Sequence, residues 1–393
     1  MRSYHILNQF LEHRDTFDEI ILLVPSIDTL TGQDSYLYKH RKKNLFSNVK
    51  IIFIKSFRFD KANGLQRYIS FIIYSLICCF KVISINRCSG YLCTTYSLPV
   101  LLMTSIVSKI YNSFLFVETR DLFLHGYLSI LRPSIFNSFL KYLIYIAMRL
   151  ESICLRSASL IFPNSPGFVL TLINQYKITP DKIKCVLLGI DEYPNLYQIK
   201  PTASENFHSL MHKILEQSSR FQCNLVYCGS LDRVHSPAPL IQLCNTINRR
   251  SLSIGIHLFG PSKSHLDISN SFHFVQAYGN ISKAMLSRIL SKFDCGLYFG
   301  SEIFPFNAIL GNKIFDYISA KIPTIFLTQS FALQFSEENN IGFKVDPLTL
   351  DQGSIDFICS FAHKNKSYLA SCSDRLKSST LCQILVEYIL EKF

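Results

Sequence analysis

The triplet Gly311-Asn312-Lys313 stands just ahead of an amphipathic stretch at 314–320 (IFDYISA). A Gly-Asn pair opening a helix leaves backbone N–H groups free at the positive end of the helix dipole. Lys313 adds a full charge, so the triplet has the makings of an anion site; the alternative is an ordinary helix start. Asp316 follows on the first turn, where a carboxylate can accept ribose hydroxyls or simply favour the dipole. A second candidate is the apolar run ending at Cys228, followed by Gly229-Ser230-Leu231-Asp232-Arg233. A Gly after a strand lets the backbone approach a ligand closely, and Arg233 can clamp a phosphate with two N–H groups. One Gly is weak evidence, and a surface Arg is the alternative.

Two further clusters carry charge or turn chemistry. The apolar run at 114–118 ends in Glu118-Thr119-Arg120-Asp121. Charged residues there belong either to a buried ion network or to the floor of a cleft. Pro163-Asn164-Ser165-Pro166-Gly167 reads first as a strand-to-helix turn, and Lys39-His40-Arg41-Lys42-Lys43 as a basic loop. The sequence has no HExxH, GxSxG, P-loop or GxGxxG, which leaves no basis for a zinc protease, serine hydrolase, kinase or Rossmann dehydrogenase.

The elements that must position these residues follow a βα rhythm. Ile20–Pro25, Val49–Ile54, Gly90–Thr94, 114–118, 159–163 and 183–188 read as strands, with helical stretches such as 65–83 and 134–156 between them. A polar segment at 193–220 with one helix interrupts the pattern. A second set of strands is expected at 224–228, 255–259, 271–275, 294–299 and 324–327. Helices are expected at 237–250, 281–292, 311–321 and 330–339, and an amphipathic one at 378–393. Such alternation predicts parallel sheets covered on both faces. Two doubly wound domains would face a cleft at the carboxyl ends of their strands.

Composition supports this. The 393 residues are 48% hydrophobic and 17% charged, with a mean hydropathy of +0.21. That excludes disorder and allows two cores. No run reaches the roughly 18 uncharged apolar residues of a membrane span. Residues 1–190 hold 22 Lys and Arg against 11 Asp and Glu, whereas residues 191–393 hold 18 against 17. The basic half suits anionic lipid, nucleic acid or a pyrophosphate compound, or is a solvated basic surface. The Lys and Arg are spread out and form no nucleic-acid recognition motif. The 13 Cys include no CxxC, so free thiols in a reducing compartment are expected, and no metal site. The first residues (MRSYHILNQFLEHRD) lack the apolar core of an export signal.

Several segments together resemble glycosyltransferase family 4, of the two-Rossmann-domain GT-B fold, and within it the bacterial O-antigen and capsule N-acetylfucosaminyltransferase-like group. The segments are 63–71 (NGLQRYISF), 116–122 (FVETRDL), 161–167 (IFPNSPG), 187–191 (LLGID), Tyr227-Cys228-Gly229 with Arg233, Leu258-Phe259-Gly260, and 304–323 (FPFNAILGNKIFDYISAKIP). The last is the most specific, because turn, Lys, carboxylate and closing Pro keep the family's spacing. The resemblance implies an acceptor-side domain at 1–195, a linker at 196–220 and a donor-binding domain at 221–377, with the 378–393 helix packing back on the first. It implies that Gly229, Arg233, Gly311, Asn312 and Lys313 meet the donor diphosphate and that Asp316 binds its ribose. Glu118, Arg120 and Asp121 would line the acceptor side as catalytic residues.

The implied activity is metal-independent transfer of a hexosyl group, retaining its anomeric configuration. The donor would be a nucleotide-diphosphate sugar, UDP-linked first, with an N-acetylated 6-deoxyhexosamine as the candidate sugar. A polyprenyl-diphosphate-linked glycan would be the acceptor, on the anionic inner face of the bacterial cytoplasmic membrane. No cofactor, metal or nucleic acid is expected. The chain departs from the family pattern in places. Ala308 stands where many members have a carboxylate, Asp316 where Glu is usual, and Asp232 where a second Gly is usual. Arg2-Ser3-Tyr4-His5 reads as the helix after the family's first strand and acceptor loop, so that strand is expected to be absent. An impaired relic or scaffold of the same family is the alternative.

Overall fold

The structure is a computed structural model. It describes all residues except 1, 28–48, 59–63, 86, 96, 131–134, 191–203, 232–235 and 261–262. The chain divides into two compact units, one built mainly from residues 3–164, 169–186 and 382–393, the other from 165–168 and 187–381. The basic run 39–43, Asp232 and Arg233 fall outside the described residues.

In the first unit α1 (Arg2–Glu12) precedes β1 (Ile20–Pro25), which pairs in parallel with β2 (Val49–Ile54). A long helix, α2 (Gly64–Ser84), leads to β3 (Gly90–Thr94), and α3 (Leu98–Ile110) leads to β4 (Phe114–Thr119). Ser97 caps α3 by accepting from Val100 N–H, with Pro99 in the first turn. After α4 (Phe123–Ile130) and α5 (Ile135–Ser157) comes β5 (Leu160–Pro163), then α6 (Pro166–Asn174). Strands β3, β4 and β5 make a parallel three-stranded sheet with β4 in the middle, separate from the β1–β2 pair. Leu115, Phe116 and Val117 of β4 are all but fully buried. This is the continuous apolar run of a parallel strand covered on both faces.

The strand expected at 183–188 does not form. Ile183 makes a lone bridge to Ile161, with Lys184 N–H on Ile161 O and Val186 N–H on Pro163 O. Pro163 has no N–H to return to the facing chain, so the ladder stops.

The second unit holds one six-stranded parallel sheet in the order β11-β10-β9-β6-β7-β8. Its elements are α7 (Ser204–Ser218), β6 (Cys223–Cys228), α8 (Ala238–Arg250), β7 (Ile254–Phe259), α9 (Lys263–Ser271), β8 (Val275–Ala277), α10 (Lys283–Ile289), β9 (Cys295–Tyr298), α11 (Asn312–Ser319), β10 (Thr324–Phe326), α12 (Phe331–Glu338) and β11 (Gly342–Lys344). Helices α13 (Gln352–Arg375) and α14 (Ser378–Leu390) close the chain. The strand expected at 271–275 lies four residues later, because the polar stretch 263–271 forms α9. Neither β11 nor α13 was expected. α13 starts with a capping box in which Asp351 accepts from Ser354 N–H at 2.8 Å.

One contact sets where α11 sits. A Cβ on Gly296 of β9 would lie 2.3 Å from the Tyr317 ring, so only Gly lets that ring lie against the strand. Tyr317 is fully buried, and its one hydroxyl proton faces two carbonyl acceptors, Leu297 O at 3.1 Å and Val226 O at 3.3 Å. The hydroxyl oxygen accepts from Cys228 N–H at 3.3 Å. The body of α11 is thereby bolted to β6 and β9, and its N-terminus is carried to the carboxyl ends of those strands.

Candidate functional site

In the second unit the site is built where β6, β7 and α11 end or begin. Gly229 follows β6 with φ +146°, and Gly260 follows β7 with φ +151°. Gly229 N–H donates to Phe259 O at 2.8 Å. A Cβ on Gly260 would come within 2.1 Å of Gly229 O, so the two backbones touch as only glycines permit.

Lys313 reaches across Gly229 from the first turn of α11. A Cβ on Gly229 would stand 2.6 Å from its Cε and 2.9 Å from its Nζ. The ammonium donates to Tyr227 Oη at 2.9 Å and lies 4.4 Å from the Tyr227 ring centroid, a cation–π distance. Tyr227, fully buried, stacks on Phe299 at 4.5 Å and donates its hydroxyl proton to Ser230 O at 3.0 Å. Gly311 is the N-cap of α11 and offers no side-chain acceptor, so no cap competes for the first-turn N–H groups. Gly229, Gly311, Asn312 and Lys313 are therefore brought together at one place. A positive charge, a helix N-terminus and a glycine floor make an anion cradle there.

Asp316, one turn into α11, pairs with Lys283 at the start of α10, with Oδ1 to Nζ 3.4 Å. The Asp316 carboxylate is 24% exposed, so it can still be reached by a ligand. Ala308 is buried, and its carbonyl accepts from Ser165 Oγ at 2.6 Å. Glu302 accepts from Gln329 N–H at 2.9 Å, which ties the loop after β9 to the loop after β10.

Two residues of this site were not expected. Tyr227 is one. The other is His265 on α9, 1% exposed, whose ring meets Tyr227 edge-on at 6.1 Å. His265 Nδ1 lies 3.3 Å from Gly260 O, which puts its proton on Nδ1. Nε2 is buried with no hydrogen-bond partner among the described residues. Burial holds its pKa below the ordinary histidine value, and the Lys313 charge adds to this.

In the first unit Glu118, Arg120 and Asp121 gather at the carboxyl end of β4. Glu118 is 2% exposed, and both Arg120 Nε and Nη2 lie 2.8 Å from its Oε2. The Arg120 carbonyl accepts from Asn164 Nδ2 at 2.9 Å, and Asn164 N–H donates to Thr119 O at 3.1 Å. The turn after β5 thus fixes the turn after β4. Burial pushes the Asp121 carboxyl up to about 6, with Arg120 opposing. That places Asp121 where a carboxyl can exchange a proton near neutral pH.

Behind it lies a buried polar chain that no local pattern marks. His125 Nε2 meets Gln175 Oε1 at 2.7 Å, its Nδ1 lies 3.4 Å from Tyr176 Oη, and the Tyr176 hydroxyl donates to Glu151. Burial raises the Glu151 carboxyl to about 7 and lowers His125.

No family model matches the chain, and no curated protein matches it. Solved structures do. HepE from Anabaena, in complex with UDP and glucose, is 15% identical with a TM-score of 0.58, covering 99% of this chain and 96% of that one. A glycosyltransferase from Rickettsia africae is also 15% identical at 0.58, with 96% and 99% covered. WaaG, a glycosyltransferase involved in lipopolysaccharide biosynthesis, is 10% identical at 0.52, with 94% and 99% covered. With the parallel sheets of the two units, these likenesses show the two-Rossmann-domain GT-B fold.

Proposed function

We propose that this chain is a glycosyltransferase that moves a sugar from a nucleoside-diphosphate donor to a lipid-linked glycan. The observation that carries the reading is the placement of Lys313 and the uncapped start of α11 over Gly229. That arrangement is a diphosphate cradle at the carboxyl ends of a parallel sheet. The neighbouring structures that hold UDP or UDP-glucose support UDP as the first nucleotide to test.

In this reading Lys313 and the α11 N–H groups, with Arg233, meet the charge that grows on the departing diphosphate. Lys313 and the α11 N–H groups are fixed before the reaction, so they stabilise the leaving group without reorganising and without a metal ion. Asp316 takes the ribose hydroxyls, held in orientation by Lys283. Glu118, Arg120 and Asp121 serve the acceptor, with Asp121 the proton-exchanging member and Arg120 fixed by Glu118. The transfer is of the hexosyl, retaining type. An N-acetylated 6-deoxyhexosamine is the first sugar to try, and a polyprenyl-diphosphate glycan of O-antigen or capsule synthesis the first acceptor. The chain would work as a peripheral protein on the anionic inner face of the cytoplasmic membrane.

The test is incubation with a panel of UDP-sugars and a polyprenyl-diphosphate-linked sugar, reading UDP release and glycolipid product. Product with one donor supports the reading; nucleotide binding with no product from any donor contradicts it. That second outcome is the signature of a non-catalytic relic. The observation favouring a relic is Ala308, buried and hydrogen-bonded to Ser165 through its carbonyl, where the resembled family has a carboxylate.

A further inference from the structure

Helices α2, α3 and α5 form one layer in the first unit, with α3 packed between the other two. Ser97 Oγ donates to Ser75 Oγ at 2.9 Å on one side, and Ser105 Oγ meets Ser157 Oγ at 2.8 Å on the other. Each helix buries one face and leaves an apolar face outward. On α5 the exposed large apolar residues are Phe139, Tyr142, Leu143, Tyr145, Ile146, Leu150 and Ile153, 37–63% exposed. All but Tyr145 fall within one stripe about 100° wide, and Tyr145 widens it on one side. On α2 the same spacing recurs in Ile69, Ile72, Leu76, Phe80 and Ile83, with Phe80 71% exposed. On α3, Ile106 and Ile110 face outward. Apolar faces of this extent, exposed side by side, mark a protein–protein or membrane interaction site.

The charges on these helices select the partner. Arg67, Lys81, Lys109, Lys141, Arg149 and Arg156 are their only cations, and Glu151 is their only acid. Glu151 is 4% exposed and takes the Tyr176 hydroxyl, so these three helices present no carboxylate on the outer face. Apolar stripes with an aromatic content, on helices that also carry Lys81, Lys109, Lys141 and Arg149, match the interface of an anionic bilayer. None of the described helices is long and apolar enough to cross a membrane.

We propose that the outer face of the α2–α3–α5 layer lies on an anionic lipid bilayer, apolar side chains inserted and basic side chains at the headgroups. This deepens the proposed function by naming its membrane-side surface, and rests on that reading only for the lipid-linked acceptor.

The test is co-sedimentation of the full chain with phosphatidylglycerol–phosphatidylcholine vesicles and with pure phosphatidylcholine vesicles. Binding should be about tenfold or more tighter on the anionic vesicles and should weaken as salt rises. The triple substitution Phe139→Ser, Ile146→Ser and Ile153→Ser removes outward groups only. It should lower vesicle affinity by about tenfold or more, with UDP affinity and melting temperature unchanged. Leu215→Ser on α7, equally exposed, should leave vesicle binding as it is. Undiminished binding by the triple variant would overturn the proposal, as would no binding by the native chain. So would light scattering that shows a dimer abolished by the triple substitution, which would assign the face to a second copy. UDP titration of the same proteins reports separately on the nucleotide site, so the two readings fail independently.

Discussion

Lys313 lies across Gly229, its Nζ 2.9 Å from the point where a Cβ would stand, and is anchored by Tyr227 Oη at the same distance. The floor of the cradle and its charge are thus one unit, and a single methyl group separates them. Gly229→Ala must move Lys313, and it also strains a backbone at φ +146°. UDP affinity should fall by about tenfold, or 1.4 kcal/mol. Tyr227→Phe keeps the ring and removes the anchor, and should show a smaller loss of the same sign. Calorimetric titration of the three proteins checks the order.

Asp316 and Lys283 make a second linked pair. Asp316→Ala should weaken UDP binding by about tenfold, because a charged acceptor to two hydroxyls is lost. Lys283→Ala removes a half-exposed pair and should change stability by less than about 1 kcal/mol. Equal affinity of native and Asp316→Ala protein for UDP would remove Asp316 from the site.

Tyr317 and Gly296 carry the burden of placing α11. Gly296→Ala puts a methyl group inside the Tyr317 ring, and should destabilise the second unit by about 1–3 kcal/mol or more. Tyr317→Phe leaves the Cys228 N–H unpaired and should cost about 1–3 kcal/mol. Thermal unfolding reads both. A native melting temperature for Gly296→Ala would contradict the packing.

Stability should depend on pH through Glu151. Its carboxyl is raised from an ordinary 4.5 to about 7 by burial. The folded chain therefore binds more protons than the unfolded chain between those values. Stability from this group is fully present below about pH 4.5 and is lost as pH rises through about 7. Glu151→Gln should flatten the fall between pH 5 and pH 8, by on the order of 1–3 kcal/mol. Melting curves against pH for both proteins test it.

Much of this architecture was legible in the chain. The continuous apolar runs that became β4, β6 and β7 announce buried parallel strands, and Gly311-Asn312-Lys313 announces the start of α11. What escaped has physical reasons. β11 is a three-residue edge strand, too short to show a period, and Pro163 cut short a ladder that the apolar run at 183–188 suggested. In the site, Gly229 and Lys313 were expected at the diphosphate, but their direct contact was not. Tyr227 and Lys313 are 86 residues apart, and the packing of Tyr317 on Gly296, Val226 and Cys228 brings α11 to them. The pairing of Asp316 with Lys283 and the burial of His265 against Tyr227 are likewise contacts between distant segments, invisible to local pattern. The His125–Tyr176–Glu151 chain joins three elements that no local spacing links.

Calorimetric titration of the full chain with UDP, GDP and ADP reads the Gly229–Lys313 cradle itself. Saturable binding of UDP is expected, tighter than that of GDP and ADP, and lost in Lys313→Ala. No binding of any of the three, or UDP binding that Lys313→Ala leaves intact, would contradict the assignment of the Gly229–Lys313 cradle as a nucleotide-diphosphate site.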